Sequence, residues 1–157
     1  MRALMSVEIE APPEKVWPYL VEPVKTMQWH TLKKFEYTSE KPGPGSTFYW
    51  EEEVRGKVYA THFRTTEWLE NRVFAYEMTS ADYFKSCTER WELGVTPTGC
   101  RFSWDHHAHA GEMVMFLHDV IEFPYGPFGK VVSWFLEWMA RTLSQEILEN
   151  LKRLAEA

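Results

Sequence analysis

The sequence is poor in cysteine, in clustered positive charge and in long apolar runs, and each shortage removes a class of function. Only two cysteines occur, Cys87 and Cys100, too few for the disulfide framework of a small secreted domain. Both read as free thiols, which fits a reducing, cytoplasmic setting. Seventeen basic residues face 23 acidic ones, for a net charge of −6. No basic cluster exceeds the Lys33-Lys34 pair. Phosphate backbones and anionic membranes both demand concentrated positive surface, so neither is an expected partner. No apolar stretch approaches the ~20 residues needed to span a bilayer. A signal peptide is not expected either, because Glu8 and Glu10 interrupt the first apolar block. Nucleophile-elbow, Walker A and dinucleotide fingerprints are absent, and Gly43-Pro44-Gly45 is turn chemistry. No cofactor is expected.

What the chain does have is rings. Eight Trp, seven Tyr and ten Phe make up 16% of it. Rings bury large areas, so they fill a core or line an apolar pocket. A length of 157 residues suits a single domain over 1–157.

Hydrophobic periodicity divides the chain into a strand-rich body and a helical end. Met5, Val7 and Ile9 alternate with Ser6, Glu8 and Glu10, which predicts a half-buried strand over Arg2–Glu10. Ala11-Pro12-Pro13-Glu14 then opens a short helix whose apolar side is Val16, Trp17 and Leu20. Pro23 ends it, and Val24–Trp29 forms a second short helical turn. Strands are expected at Leu32–Ser39, Thr47–Val54, Lys57–Trp68, Val73–Thr79, Phe84–Val95 and Cys100–Ala110, separated by Gly- and Pro-bearing turns. Glu112–Phe123 fits a short helix better than a strand.

From Phe128 to Ala157 there is no proline, and the one glycine is Gly129. Val132, Phe135, Met139, Leu143, Ile147, Leu151 and Leu154 recur at helical spacing. A helix of that length runs roughly 40 Å, and only a broad curved sheet could cover its stripe.

Several of these segments match a known family. Val7-Glu8-Ile9-Glu10-Ala11-Pro12-Pro13-Glu14-Lys15-Val16-Trp17, Gly45-Ser46-Thr47-Phe48, Thr66-Glu67-Trp68, Thr96-Pro97-Thr98-Gly99-Cys100-Arg101 and the closing helix resemble the polyketide cyclase/dehydrase and lipid-transport proteins. These are part of the START-related, birch-pollen-allergen-like superfamily. The resemblance implies an α+β helix-grip fold: a curved seven-stranded antiparallel sheet wrapped around the long C-terminal helix, with two short helices after the first strand. It implies a deep apolar cavity between sheet and helix. It carries over no fixed catalytic set. Glu112–Phe123 departs from the simplest version of the fold and could cap the pocket entrance.

The turn at Thr96-Pro97-Thr98-Gly99 permits a sharper expectation. A four-residue connection sets Leu93 opposite Phe102, Trp91 opposite Trp104 and Glu89 opposite His106, all on one face. Four of the six are large and apolar, so that face is the inner one. Cys87 then lies opposite Ala108 and Cys100 opposite Val95, about 25 Å apart and unable to pair. Glu89 and His106 have three possible roles. They can stabilise the wall, grip a ligand's polar group, or move protons, with Glu89 orienting the imidazole. They are the candidate catalytic residues.

Other constellations are weaker. His107 and His109 share a face with Ser103 and Asp105, which reads as an exposed histidine patch, so no metal is expected. Glu52 alternates in phase with Phe48 and Trp50. It either reaches the cavity or is turned out by a bulge, and the nearby turn at Gly56 favours the bulge. Cys87 faces inward but has no evident activating base.

The expected function is carriage or sensing of a hydrophobic or amphiphilic small molecule under the long helix. Phe48, Trp50, Phe63, Tyr76, Trp91 and Trp104 supply the sheet contacts, and Phe135 and Met139 the helix contacts. Glu89 and His106 would fix a polar group. The alternative is a cyclase/dehydratase-type enzyme acting on a polyketide-like or other apolar substrate in the same cavity. Val131, Trp134 and Trp138 lie off the main stripe, at a pocket mouth or a homodimer contact.

Overall fold

The computed structural model describes residues 2–54, 56–81, 86–108 and 144–157. Expectations for His109, Glu112–Phe123, Phe135, Met139, Val131, Trp134, Trp138 and the first half of the long helix lie outside the described residues.

Chain order is β1 (Arg2–Ile9), α1 (Pro13–Val21), α2 (Pro23–Trp29), β2 (Leu32–Tyr37), β3 (Thr47–Val54), β4 (Lys57–Leu69), β5 (Val73–Ala81), β6 (Cys87–Thr96) and β7 (Gly99–Ala108). Residues 144–156 are helical. The seven strands form one antiparallel sheet in the order β1-β7-β6-β5-β4-β3-β2. β2 to β7 make a meander, and β1 closes onto β7. Register shifts at Leu32/Lys34, His62/Phe63 and Thr65/Glu67 insert the extra residues that bend strands and coil a sheet.

Proline sets the helical corner. Pro13 sits in the first turn of α1, where its missing N–H costs nothing, and Pro23 starts α2 in the same way. The corner between them is locked from α2. Trp29 Nε1 and Thr26 Oγ1 both donate to the Tyr19 carbonyl, at 2.7 and 3.0 Å. Those bonds satisfy a carbonyl that the end of α1 would otherwise leave orphaned. They also hold the Trp29 ring against the concave face, 5.4 Å from Trp91 and 6.0 Å from Phe102.

The concave face is a continuous aromatic surface. Phe35, Phe48, Trp50, Phe63, Phe74, Tyr76, Trp91, Phe102 and Trp104 are all buried in one cluster. Most pairs meet edge-on or tilted, such as Trp50 on Phe63 at 4.4 Å and 61°, the arrangement ring quadrupoles favour. The convex face carries ion-pair rungs, among them Arg2–Asp105 at 2.6 Å and Lys33–Glu53 at 2.8 Å. Such exposed pairs contribute about 0–1 kcal/mol each; they mark the wet side.

The described end of the terminal helix lies on the same core. Leu148, Leu151 and Ala155 are buried, while Ile147 and Leu154 pack at the edge. The buried stripe is thus rotated from the one expected: Leu148 and Ala155 take the centre. Two polar contacts fix the rotation. The Tyr19 hydroxyl donates to the Leu154 carbonyl at 3.2 Å, and the Glu10 N–H donates to the Glu156 carboxylate at 2.7 Å.

Gly99, at the start of β7, is required by contact. A Cβ there would fall 2.2 Å from the Ile9 carbonyl oxygen and 2.7 Å from the Ala11 nitrogen. This close approach lets the β1–α1 connection cross the β6–β7 turn.

Candidate functional site

The β6–β7 register follows the turn as the sequence implies. Glu89 pairs with His106, Trp91 with Trp104, Leu93 with Phe102, Cys87 with Ala108 and Val95 with Cys100. Both cysteines are free and buried. Phe48, Trp50, Phe63, Tyr76, Trp91, Trp104 and Glu89 are buried, and His106 is half-buried.

Glu89 is the hub of the polar corner. Its Oε1 accepts from His106 Nδ1 and, at 3.7 Å, from the Cys87 thiol, and its Oε2 accepts from Trp104 Nε1. Cys87 Sγ lies 3.9 Å from His106 Nδ1. Burial opposes a charged imidazole, but the charge and hydrogen bond of Glu89 outweigh it and hold His106 above its ordinary pKa. Burial, then the charge of Glu89 and its hydrogen bond, push the Cys87 thiol well up, so it stays protonated. Thiol, carboxylate and imidazole offer atoms within 4.8 Å of one another.

Glu52 joins this corner, contrary to the outward turn expected for it. β3 pairs with β4 without interruption through Glu52–Tyr59, Glu53–Val58 and Val54–Lys57. The bulge falls on the neighbouring strand instead, at Leu32/Lys34 of β2. Glu52 therefore keeps the inward phase of Phe48 and Trp50. Burial, reinforced by the charge of Glu89, pushes its carboxyl up to about 7, against a smaller opposing effect of His106.

His30 is the residue that sequence reasoning left unplaced. It follows Trp29 at the C-cap of α2, with its backbone N–H on the Thr26 carbonyl at 3.0 Å. Its ring stacks on Trp50 at 5.6 Å and 27°, and also borders Trp29, Trp91 and Trp104. Burial alone lowers its pKa to about 4, so it is neutral. Neither ring nitrogen finds a partner among the described residues, and the same holds for Tyr76 Oη and Trp91 Nε1. These rings are neighbours: Trp91 lies 5.5 Å from Tyr76 and 6.3 Å from His30. Each unpaired buried group costs about 1–3 kcal/mol, so these four atoms are ones that a polar partner beyond the described residues would satisfy.

The convex face holds a depression of about 410 Å³ lined by Arg2, Glu67, Arg90, Asp105 and His107. Its charges are paired, Arg2 with Asp105 and Arg90 with Glu67 within it and with Glu92 beyond its lining. His107 is exposed on this outer side, on the opposite face of β7 from His106. Among the described residues no helix is long and apolar enough to cross a membrane.

Comparison with known proteins agrees with this architecture. The aromatase/cyclase Zhui of Streptomyces sp. R1128 is 18% identical, with 99% of this chain and 93% of that one covered and a TM-score of 0.67. The di-domain aromatase/cyclase StfQ of the steffimycin biosynthetic pathway is 14% identical, with 99% of this chain covering 50% of that one and a TM-score of 0.75. Ara h 8.0201 is 12% identical over 99% of this chain and 97% of that one, with a TM-score of 0.65. At these identities the likeness shows the shared helix-grip fold alone. No curated protein matches the chain. Residues 2–156 match the family described as polyketide cyclase / dehydrase and lipid transport, and the chain belongs to that family.

Proposed function

We propose that the protein binds a small amphiphilic molecule against the concave face of the sheet. The observation that carries this reading is the cluster of unpartnered buried polar atoms on His30, Tyr76 and Trp91, set within a wall of rings. Phe48, Trp50, Phe63 and Trp104 suit an apolar, preferably ring-bearing body. Trp91 Nε1–H and Tyr76 Oη–H suit a carbonyl or hydroxyl oxygen that accepts. Sites of this kind are mostly apolar with a few placed polar groups. Family membership supports the reading, since its description includes lipid transport. Native mass spectrometry of the purified protein, followed by tryptophan-quenching titration with a neutral ring alcohol such as 2-naphthol, tests it. Saturable one-to-one quenching is expected, and a linear, unsaturable response overturns the reading.

The Glu89–His106 hydrogen bond favours a second reading, cyclase-type proton transfer. Similar folds include proteins named as aromatase/cyclases. Glu89 would orient the imidazole, and His106 would take a proton from carbon next to a carbonyl. Deuterium exchange into a β-diketone such as benzoylacetone reads this out. Acceleration that survives His106→Ala removes the mechanism and leaves the binding reading in place.

A further inference from the structure

We infer that Cys87, Glu89 and His106 form a binding site for a zinc ion. Zinc holds sulfur at ~2.3 Å and imidazole nitrogen or carboxylate oxygen at ~2.0–2.2 Å, which places tetrahedral ligand atoms about 3.3–3.6 Å apart. Cys87 Sγ lies 3.7 Å from Glu89 Oε1 and 3.9 Å from His106 Nδ1. Both separations are within a few tenths of an ångström of that spacing. The Glu89–His106 contact is a hydrogen bond, and it opens by about 1 Å when a metal replaces the shared proton.

The donor set selects the metal. Calcium and magnesium take oxygen ligands, whereas one thiolate, one imidazole and one carboxylate suit zinc. Two carboxylates, Glu52 and Glu89, and a thiol share this corner with one imidazole. The Tyr76 hydroxyl is 1% exposed and unpartnered among the described residues. Tyr76 is the cross-strand partner of Glu89 on β5, so its hydroxyl is a candidate to bond to a ligand on the metal. Three protein ligands leave a fourth position for water or a guest's polar atom, the pattern of an open zinc site.

Proton balance is simple. Cys87 gives up its thiol proton to solvent. His106 binds through Nδ1 and keeps one proton on Nε2, releasing a second only if it starts as imidazolium. Strand geometry supplies the ligands: Cys87 and Glu89 are two apart on β6, on one face, and His106 is the cross-strand partner of Glu89 on β7. The site stands apart from the small-molecule reading, because the metal alone is enough to test it.

The test uses the full chain, stripped with a chelator and titrated with Co²⁺ as a spectroscopic stand-in for Zn²⁺. One equivalent is expected to produce a thiolate-to-cobalt charge-transfer band together with intense tetrahedral visible bands. Cys87→Ser removes the charge-transfer band and weakens Zn²⁺ binding more than about 100-fold, beyond the 10–100-fold typical of losing a supporting residue. Cys100→Ser keeps both. Should Cys87→Ser fail to fold, Glu89→Gln decides: the charge-transfer band persists while Zn²⁺ affinity falls at least about 10-fold. Absence of a thiolate band at excess Co²⁺ overturns the site. So does Zn²⁺ binding that survives Cys87→Ser and is lost in His107→Ala, which would put the metal on the outer face.

Discussion

Glu52 offers the most quantitative consequence of the structure, because its inward placement has a measurable dependence on pH. Burial beside Glu89 raises its carboxyl from an ordinary value of 4.5 to about 7. A raised pKa means that the folded state prefers the protonated form. That preference is fully present below about pH 4.5 and is lost as pH rises through about 7. Above that range the fold holds a desolvated carboxylate. That rise corresponds to a penalty of about 3 kcal/mol at pH ~8, of which less than about 1 kcal/mol is present at pH ~5. Glu52 is half-buried, and partial access to water makes this figure a ceiling. Glu52→Gln keeps size and hydrogen-bonding capacity while removing the titration. Urea unfolding in chelator, wild type against variant at both pH values, isolates the effect. The variant is expected to match wild type within about 1 kcal/mol at pH ~5 and to exceed it by about 2–3 kcal/mol at pH ~8. A stability difference that does not change with pH would refute the placement, as would a variant less stable than wild type at pH ~8.

Further expectations follow from single contacts. Gly99→Ala places a methyl 2.2 Å from the Ile9 carbonyl oxygen, and a loss of about 1–3 kcal/mol is expected in a denaturation curve. His30→Phe keeps a ring among four tryptophans but removes two unpartnered nitrogens. A gain of about 1 kcal/mol in the free protein, with weaker naphthol quenching, is expected, and stability and titration measured on one sample check both. Cys87, held protonated by burial and by Glu89, is expected to resist iodoacetamide at neutral pH in the native state. Mass spectrometry should find both cysteines alkylated only after denaturation.

The sequence carries the site where local geometry controls it. A four-residue turn and period-two alternation suffice to pair Glu89 with His106 and to aim both at the core, since a tight hairpin leaves no freedom of register. Glu52 was equally legible by alternation with Phe48 and Trp50. The proximity of the Gly56 turn argued for a bulge, and the bulge sits instead on β2, a choice made by the neighbouring strand. His30 had no such signal. Its burial depends on how α2 meets the sheet, through Trp29 and Thr26 bonding back to Tyr19, contacts that no spacing in the chain announces. The centre of the terminal stripe shifted for a similar reason. Apolar periodicity leaves a helix free to rotate by a fraction of a turn, and Tyr19 and Glu10 determine where it stops.

A guest received by the unpartnered polar atoms of His30, Tyr76 and Trp91 would sit at the heart of the aromatic face. Trp91 Nε1–H reports on this directly, and Trp104 Nε1–H, already donated to Glu89, is its internal control. In a ¹⁵N-labelled sample titrated with 2-naphthol, the indole N–H resonance of Trp91 is predicted to move downfield and saturate, while that of Trp104 moves little. A Trp91 resonance that stays in place at saturating probe, or equal shifts of both indoles, would contradict binding at these atoms.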